Sequence, residues 1–305
     1  MMECLIIGYG SIGKRHAQIL KNLGCMISIV TSQKIDDQPC YLSIKEAFKK
    51  KSFDYVIIAN PTYLHHSALV QLIECDYQGF VLVEKPLFSQ IEHLPKNKIK
   101  KILVAYNLRF HELLIQTKKL IENQKIITFS AYVGQYLPTW RKGTDYRNCY
   151  SAKKEQGGGV LRDLSHELDY ALWFCGPCLN VTAIGGHFSD LEINSDDTYS
   201  IMMKCTQCPI VNIQINYLDR CTRREITINT EQHTILIDFI KGTLSIDGEI
   251  KTQYSGEMNQ TYIKQHQAVM NNNFDGFCHY SDGLSVMKLI DTVEKASTAQ
   301  TWMNL

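Results

Sequence analysis

The chain has 305 residues, 45% of them hydrophobic and 21% charged, and 32 Lys and Arg against 31 Asp and Glu leave a formal net charge of +1. Set against a usual domain size of about 100–200 residues, this length predicts two domains. The composition excludes a disordered, collagen-like or membrane-spanning chain, and the charge balance excludes a global pull toward nucleic acid or an anionic membrane.

The first apolar run begins at Cys4, too early for a secretory leader, so a cytoplasmic protein is expected. Residues 4–7, 26–30, 55–59, 80–84 and 102–106 read as strands. Helical stretches at 14–23, 44–50, 64–75 and 89–96 separate them. Continuous apolar runs such as Tyr55-Val-Ile-Ile-Ala59 are the mark of parallel strands buried on both faces. After Leu108 the pattern changes. Helices at 111–123 and 160–174 flank or precede strand-like runs at 126–134, 179–186, 197–205, 209–217, 223–230, 233–239 and 243–247, and helices at 258–273 and 283–300 close the chain. The fold class is α/β, with an N-terminal Rossmann doubly wound parallel sheet and a C-terminal α+β domain built on a large, mostly antiparallel open sheet. The expected division is 1–108 for the parallel-sheet domain and 109–305 for the α+β domain, with the return of the last helices to the first domain left open.

Gly8-Tyr-Gly10-Ser11-Ile12-Gly13 follows the first strand and opens a helix that carries Arg15. In that context Gly8 permits the turn, Gly10 lets backbone approach a pyrophosphate, and Gly13 packs helix on strand, while free N–H groups at the helix start face the anion. A carboxylate about 20 residues on would bind the ribose of NAD, yet the second strand ends Val30-Thr31-Ser32-Gln33-Lys34. Thr31, Ser32 and Lys34 suit a 2′-phosphate, which favours NADP and leaves NAD open. Asp36 and Asp37 are later surrogates.

Cys175-Gly-Pro-Cys178 and Cys205-Thr-Gln-Cys208 copy redox or zinc spacings. The first closes a helix instead of opening one, and the second joins two strands, so structural thiols and no metal are expected. Eleven cysteines in all, an odd number, fit a reducing compartment.

Glu84-Lys85-Pro86 ends a buried strand where ligands of open α/β sheets collect, and a lysine there can stabilise charge developing on a substrate oxygen. In Gly157-Gly-Gly-Val-Leu-Arg-Asp163-Leu-Ser-His166-Glu-Leu-Asp-Tyr170, one helix would put Leu161, Leu164, Leu168 and Leu172 on one stripe and Asp163, His166 and Tyr170 opposite. His166, oriented by Asp163, is then the expected proton carrier. The irregular stretch Tyr136 to Arg147 offers Tyr136, Trp140, Arg141, Tyr146 and Arg147 to a sugar ring and an anionic group. Arg109, after the last parallel strand, is a further candidate for the anion.

These motifs, together with Ala59-Asn60-Pro61-Thr62-Tyr-Leu-His65 and Gly-Lys-Arg-His16 after the glycine turn, resemble the Gfo/Idh/MocA oxidoreductases. The resemblance implies a Rossmann domain joined to an α/β domain whose open sheet pairs subunits, as a homodimer or homotetramer. It implies hydride transfer between NAD(P) and a hydroxyl or ketone of a sugar or nucleotide-activated sugar. It also implies Lys85 as the catalytic lysine, with Asn60, Pro61, Thr62, His65 and Glu84 beside the coenzyme. The sequence departs from the commoner family pattern in placing Asp163 and His166 three residues apart instead of four, which leaves open which of the two carries the proton. A sensor of NAD(P) or sugar without turnover, and an enzyme of dehydratase or glycosidase type that recycles a tightly held dinucleotide, remain as alternatives. The pairing of Lys85 with Asp163 and His166 argues for catalysis.

Overall fold

The computed structural model describes residues 1–305 apart from Asp36, Lys142 and Met258. The chain opens β1 (Glu3–Ile7), α1 (Ser11–Asn22), β2 (Met26–Val30), β3 (Cys40–Tyr41), α2 (Ile44–Lys50), β4 (Tyr55–Ile58), α3 (His65–Glu74), β5 (Phe80–Val83) and β6 (Lys101–Val104). It continues α4 (Glu112–Leu120), β7 (Ile126–Gly134), α5 (Leu137–Trp140), α6 (Val160–Asp163), α7 (His166–Cys175), β8 (Cys178–Gly186), β9 (Thr198–Cys205) and β10 (Ile210–Asn216). Then follow β11 (Arg223–Thr230), β12 (Thr234–Asp238), β13 (Thr243–Ile246), β14 (Glu249–Gln253), α8 (Gln260–Met270), β15 (Cys278–His279), α9 (Tyr280–Ala299) and β16 (Met303–Asn304). Two compact units result, 1–110 with 258–284, and 111–257 with 285–305.

In the first unit the sheet order is β15-β6-β5-β4-β1-β2-β3, parallel except for the β15 edge. Strand order reverses between β1 and β4, which is where open α/β sheets bind ligands. Register aligns the strand ends, with Ile7 opposite Val30 and Ile58, and Ile58 opposite Val83. Gly8, Thr31, Asn60 and Lys85 therefore emerge along one edge. β4 and β5 are buried along their whole length, as their apolar sequences require. On α1, Ala17, Ile19 and Leu20 face the sheet. α2 begins where Ser43 accepts the Glu46 amide proton, with the Glu46 carboxylate accepting from Leu42 N–H in return, a reciprocal cap.

The second unit carries a nine-stranded sheet ordered β14-β13-β12-β11-β7-β10-β9-β8-β16, antiparallel except that β7 and β10 run parallel. β9 alternates strictly, with Tyr199, Ile201, Met203 and Cys205 buried and Ser200, Met202 and Lys204 outward. α7 packs on β7 and β10. The other face leaves Ile184, Met202, Leu236 and Ile250 exposed.

Three expectations are corrected. The stretch 89–96 forms no helix, since it lacks a helical apolar period and contains Pro95. The helix expected at 160–174 is two, because Leu164, at φ −101° and ψ 30°, leaves the helical region between α6 and α7. Asp163 ends one helix and His166 begins the next, so they do not share a helix face. Tyr170 is fully buried and donates its hydroxyl to Glu167, which grips Arg224 at 2.9 Å; it belongs to packing. All eleven cysteines are free thiols. Cys178 stands opposite Cys205 across β8 and β9, and among the described residues no group of three or more His, Cys, Asp or Glu is placed to hold a metal.

Candidate functional site

Gly8 turns the chain at φ +96°, and a β-carbon there would lie 2.5 Å from the Asn60 nitrogen. A β-carbon on Gly13 would meet the Gly8 carbonyl oxygen at 2.1 Å, so both glycines are required by close backbone approach. At Gly10 the same test finds nothing within 4 Å. Gly10 caps α1 without a side chain, leaving the N–H groups of the first turn to an anion. Ser11 is exposed, Ile12 packs on the core, and Arg15 lies over the Tyr262 ring at 5.2 Å. Asn60 adds a buried side-chain oxygen with no hydrogen-bond partner. Open space above a helix start, with an unsatisfied acceptor beside it, fits a dinucleotide.

Beyond β2, Thr31 is half-buried and accepts from the Gln33 amide at 3.2 Å, while Ser32 and Lys34 are exposed at the same rim. Asp36 lies outside the described residues, and Asp37 is exposed. Pro61 and Thr62 lead into the turn before α3.

His65 is buried at 1% exposure. Its Nε2 stands 3.0 Å from the Asn60 carbonyl, and its Nδ1 stands 3.1 Å from the carbonyls of Pro86 and Leu87. Burial holds its pKa below the usual imidazole value, despite carbonyls that favour the charged form. His65 thus fastens the turn after β4 to the turn after β5 through backbone carbonyls.

Glu84 is buried. Its Oε1 is 2.8 Å from His16 Nε2, and its Oε2 accepts the Lys85 amide proton at 3.2 Å. Lys85 precedes Pro86 through a cis peptide, and its residue is half-buried, while Pro86, Leu87 and Phe88 behind it are buried. Arg109 is corrected. Its side chain is 4% exposed and donates to the Phe277 carbonyl at 2.9 Å and to Asp282 at 3.2 Å, so it serves packing, not a substrate anion.

In the second unit, Gly157-Gly158-Gly159 leads into α6, and Gly159 at φ +114° lies against Asp196, whose carboxylate accepts from Leu161 N–H at 2.9 Å. Asp163 is buried, and it accepts the hydroxyl proton of Tyr150 at 2.5 Å and that of Tyr217 at 2.7 Å. Burial first, and the Asp163 charge second, push both tyrosines well above the usual phenol value. Trp140 packs edge-on to Tyr217 at 5.8 Å, and Arg141 lies over the Tyr150 ring at 5.1 Å. The structure thus unites three expected residues, Trp140, Arg141 and Asp163, around two tyrosines the sequence did not single out. Arg147 is engaged by Asp145 at 2.9 Å and Glu192 at 2.8 Å, and Tyr146 accepts from Glu192 N–H. Tyr136 is covered by Arg220 at 3.4 Å. His166 is half-buried at the first position of α7.

Comparison with known proteins is consistent across the chain. No curated protein matches it. Among solved structures, levoglucosan dehydrogenase in complex with NADH superimposes with a TM-score of 0.85 at 17% identity, covering 99% of this chain and 98% of that one. The WlbA dehydrogenase from Bordetella pertussis, in complex with NADH and UDP-GlcNAcA, gives 0.79 at 18% identity, over 100% and 98% of the two chains. GenD2 from gentamicin A biosynthesis, in complex with NAD, gives 0.80 at 16%, over 100% and 96%. At these identities the likeness is one of fold. Residues 2–111 match the oxidoreductase family with an NAD-binding Rossmann fold, and residues 115–236 match the GFO/IDH/MocA C-terminal domain. The chain therefore belongs to the GFO/IDH/MocA family of NAD-dependent oxidoreductases.

Proposed function

We propose that the protein interconverts a hydroxyl and a ketone on a sugar or nucleotide-activated sugar. The observation that carries this reading is the open face at Gly10, at the strand-order reversal, with Lys85 emerging from the same edge of the sheet. The coenzyme, when bound, supplies or accepts hydride at its nicotinamide. Gly8, Gly10, Ser11 and Gly13 would hold its pyrophosphate, and Asn60, Pro61 and Thr62 would border its ribose and ring. Thr31, Ser32 and Lys34 would take a 2′-phosphate, which favours NADP.

Lys85 donates to the reacting substrate oxygen and offsets the negative charge that grows there. His166 takes the hydroxyl proton in oxidation and returns it in reduction. Asp163, already accepting two hydroxyl protons, holds the Tyr150 and Tyr217 ring systems on which Trp140 and Arg141 rest. Trp140 offers an aromatic face to a sugar ring, and Arg141 a planar donor to an anionic substituent. Two similar structures support the substrate class: levoglucosan dehydrogenase in complex with NADH, and the WlbA dehydrogenase in complex with NADH and UDP-GlcNAcA. The exposed face with Ile184, Met202, Leu236 and Ile250 supports pairing of subunits through this sheet.

The test is turnover with NAD, NADP and their reduced forms against sugars, keto-sugars and nucleotide sugars. The reading predicts coenzyme oxidation or reduction with at least one of these and its loss in Lys85→Met. Coenzyme binding without turnover on any of them would favour a sensor.

A further inference from the structure

A line of buried polar groups in the first unit ends on the peptide of Lys85. Tyr55, His266 and His16 are each 0% exposed. The Tyr55 hydroxyl is 3.1 Å from His266 Nδ1, His266 Nε2 is 2.8 Å from His16 Nδ1, and His16 Nε2 is 2.8 Å from Glu84 Oε1. The other carboxylate oxygen accepts the Lys85 amide proton. The groups come from β4, α8, α1 and the end of β5, and the rings cross nearly at right angles.

Four contacts in a row leave few proton arrangements. A neutral imidazole has one donor and one acceptor nitrogen. Burial drives His266 well below the usual imidazole value, with the neighbouring His16 adding to the shift, so a charged ring there is disfavoured. With both rings neutral, every contact is satisfied only if all the protons point the same way. Pointed toward Glu84, the tyrosine donates to Nδ1 of His266, Nε2–H of His266 donates to Nδ1 of His16, and Nε2–H of His16 donates to the carboxylate. The reverse direction demands a proton on Glu84 itself. The forward direction gives the carboxylate two N–H donors, as a buried anion requires. Tyr262 packs edge-to-face with His16 at 5.6 Å, and Arg15 lies over the Tyr262 ring.

We infer that His16 and His266 are positioning residues, whose one-way hydrogen-bond chain holds the Glu84 carboxyl in place and so fixes the Lys85 peptide at the end of β5. The same chain runs through α1, which starts at the glycine turn, so one device sets both the lysine and the helix beneath the dinucleotide. The consequence for catalysis rests on the role proposed for Lys85, but the experiment needs neither coenzyme nor substrate.

The full chain labelled with nitrogen-15 in histidine is expected to show two buried imidazoles protonated at Nε2 alone in neutral solution. In hydrogen exchange, His266→Leu lowers protection of the Lys85 amide about tenfold relative to the rest of the unit, as loss of a charge-assisted bond would. His266→Gln, which keeps an N–H donor for His16, restores it. Should His266→Leu not fold, Tyr55→Phe is read in the same way. Either ring protonated at Nδ1 in neutral solution overturns the inference. So does unchanged protection at Lys85, or a loss spread evenly over the unit that Gln does not rescue.

Discussion

A β-carbon on Gly8 would sit only 2.5 Å from the Asn60 backbone nitrogen, so the turn after β1 and the turn after β4 are in direct backbone contact. This contact separates Gly8 from Gly10 by function. Gly8→Ala, at φ +96° and against backbone, is expected to cost at least about 2 kcal/mol, seen as a drop in melting temperature. Gly10→Ala, in open space, is expected to melt with the wild type while NADH binding weakens at least tenfold, roughly 1.4 kcal/mol, by fluorescence titration. Equal effects of the two on stability would contradict this assignment.

At the rim of β2, the exposed Lys34 beside Thr31 and Ser32 predicts that NADPH binds at least as tightly as NADH. Lys34→Glu should weaken NADPH about tenfold and change NADH by less than about twofold. Calorimetric titration with both coenzymes checks this, and a wild type that prefers NADH would assign the rim to an unphosphorylated ribose.

Lys85→Met and His166→Gln should each leave coenzyme affinity within about twofold of wild type. The first should lower the hydride-transfer rate by about 10²–10³-fold. The second should lower it by about 10²–10⁴-fold. Single-turnover kinetics separates these losses from binding, and full activity in either variant removes that residue from the proposed mechanism.

Asp196, packed under Gly159 and largely desolvated, has its carboxyl pushed up to about 6 from an ordinary 3.8, burial outweighing the Leu161 amide and Arg162 that favour the anion. The folded form therefore holds its proton more tightly than the unfolded chain. This group favours folding at low pH, and its contribution falls as pH rises from 3.8 to about 6, by up to about 3 kcal/mol. Asp196→Asn keeps an acceptor for Leu161 N–H and should flatten the pH dependence of stability over that window. Denaturant melts at several pH values measure it, and an unchanged slope would place the titration elsewhere.

The glycine turn and its flanking elements were legible because a buried strand, three spaced glycines and a helix start are all local patterns. Lys85 was legible for the same reason, standing where an apolar run meets a proline. The aromatic seat around Asp163 was not, because Tyr217 joins it from 54 residues away and nothing in its own neighbourhood marks it. His266 is 250 residues from His16, and in sequence it looks like any polar helix residue. The break between α6 and α7 carries no Gly or Pro; Leu164 leaves the helical region there, so tertiary packing overrides a favourable apolar period. Arg109 reads as a candidate for the substrate anion until Phe277 and Asp282, contributed by a distant segment, are seen to engage it.

The most direct test of the central claim follows a label. The protein is incubated with nicotinamide coenzyme carrying deuterium at its transferable position and with the keto-sugar and nucleotide keto-sugar panel, and products are read by mass spectrometry. The account predicts one deuterium on the carbinol carbon of a sugar product, and none when Lys85→Met replaces the wild type. Stoichiometric coenzyme binding with no deuterium in any product would contradict it.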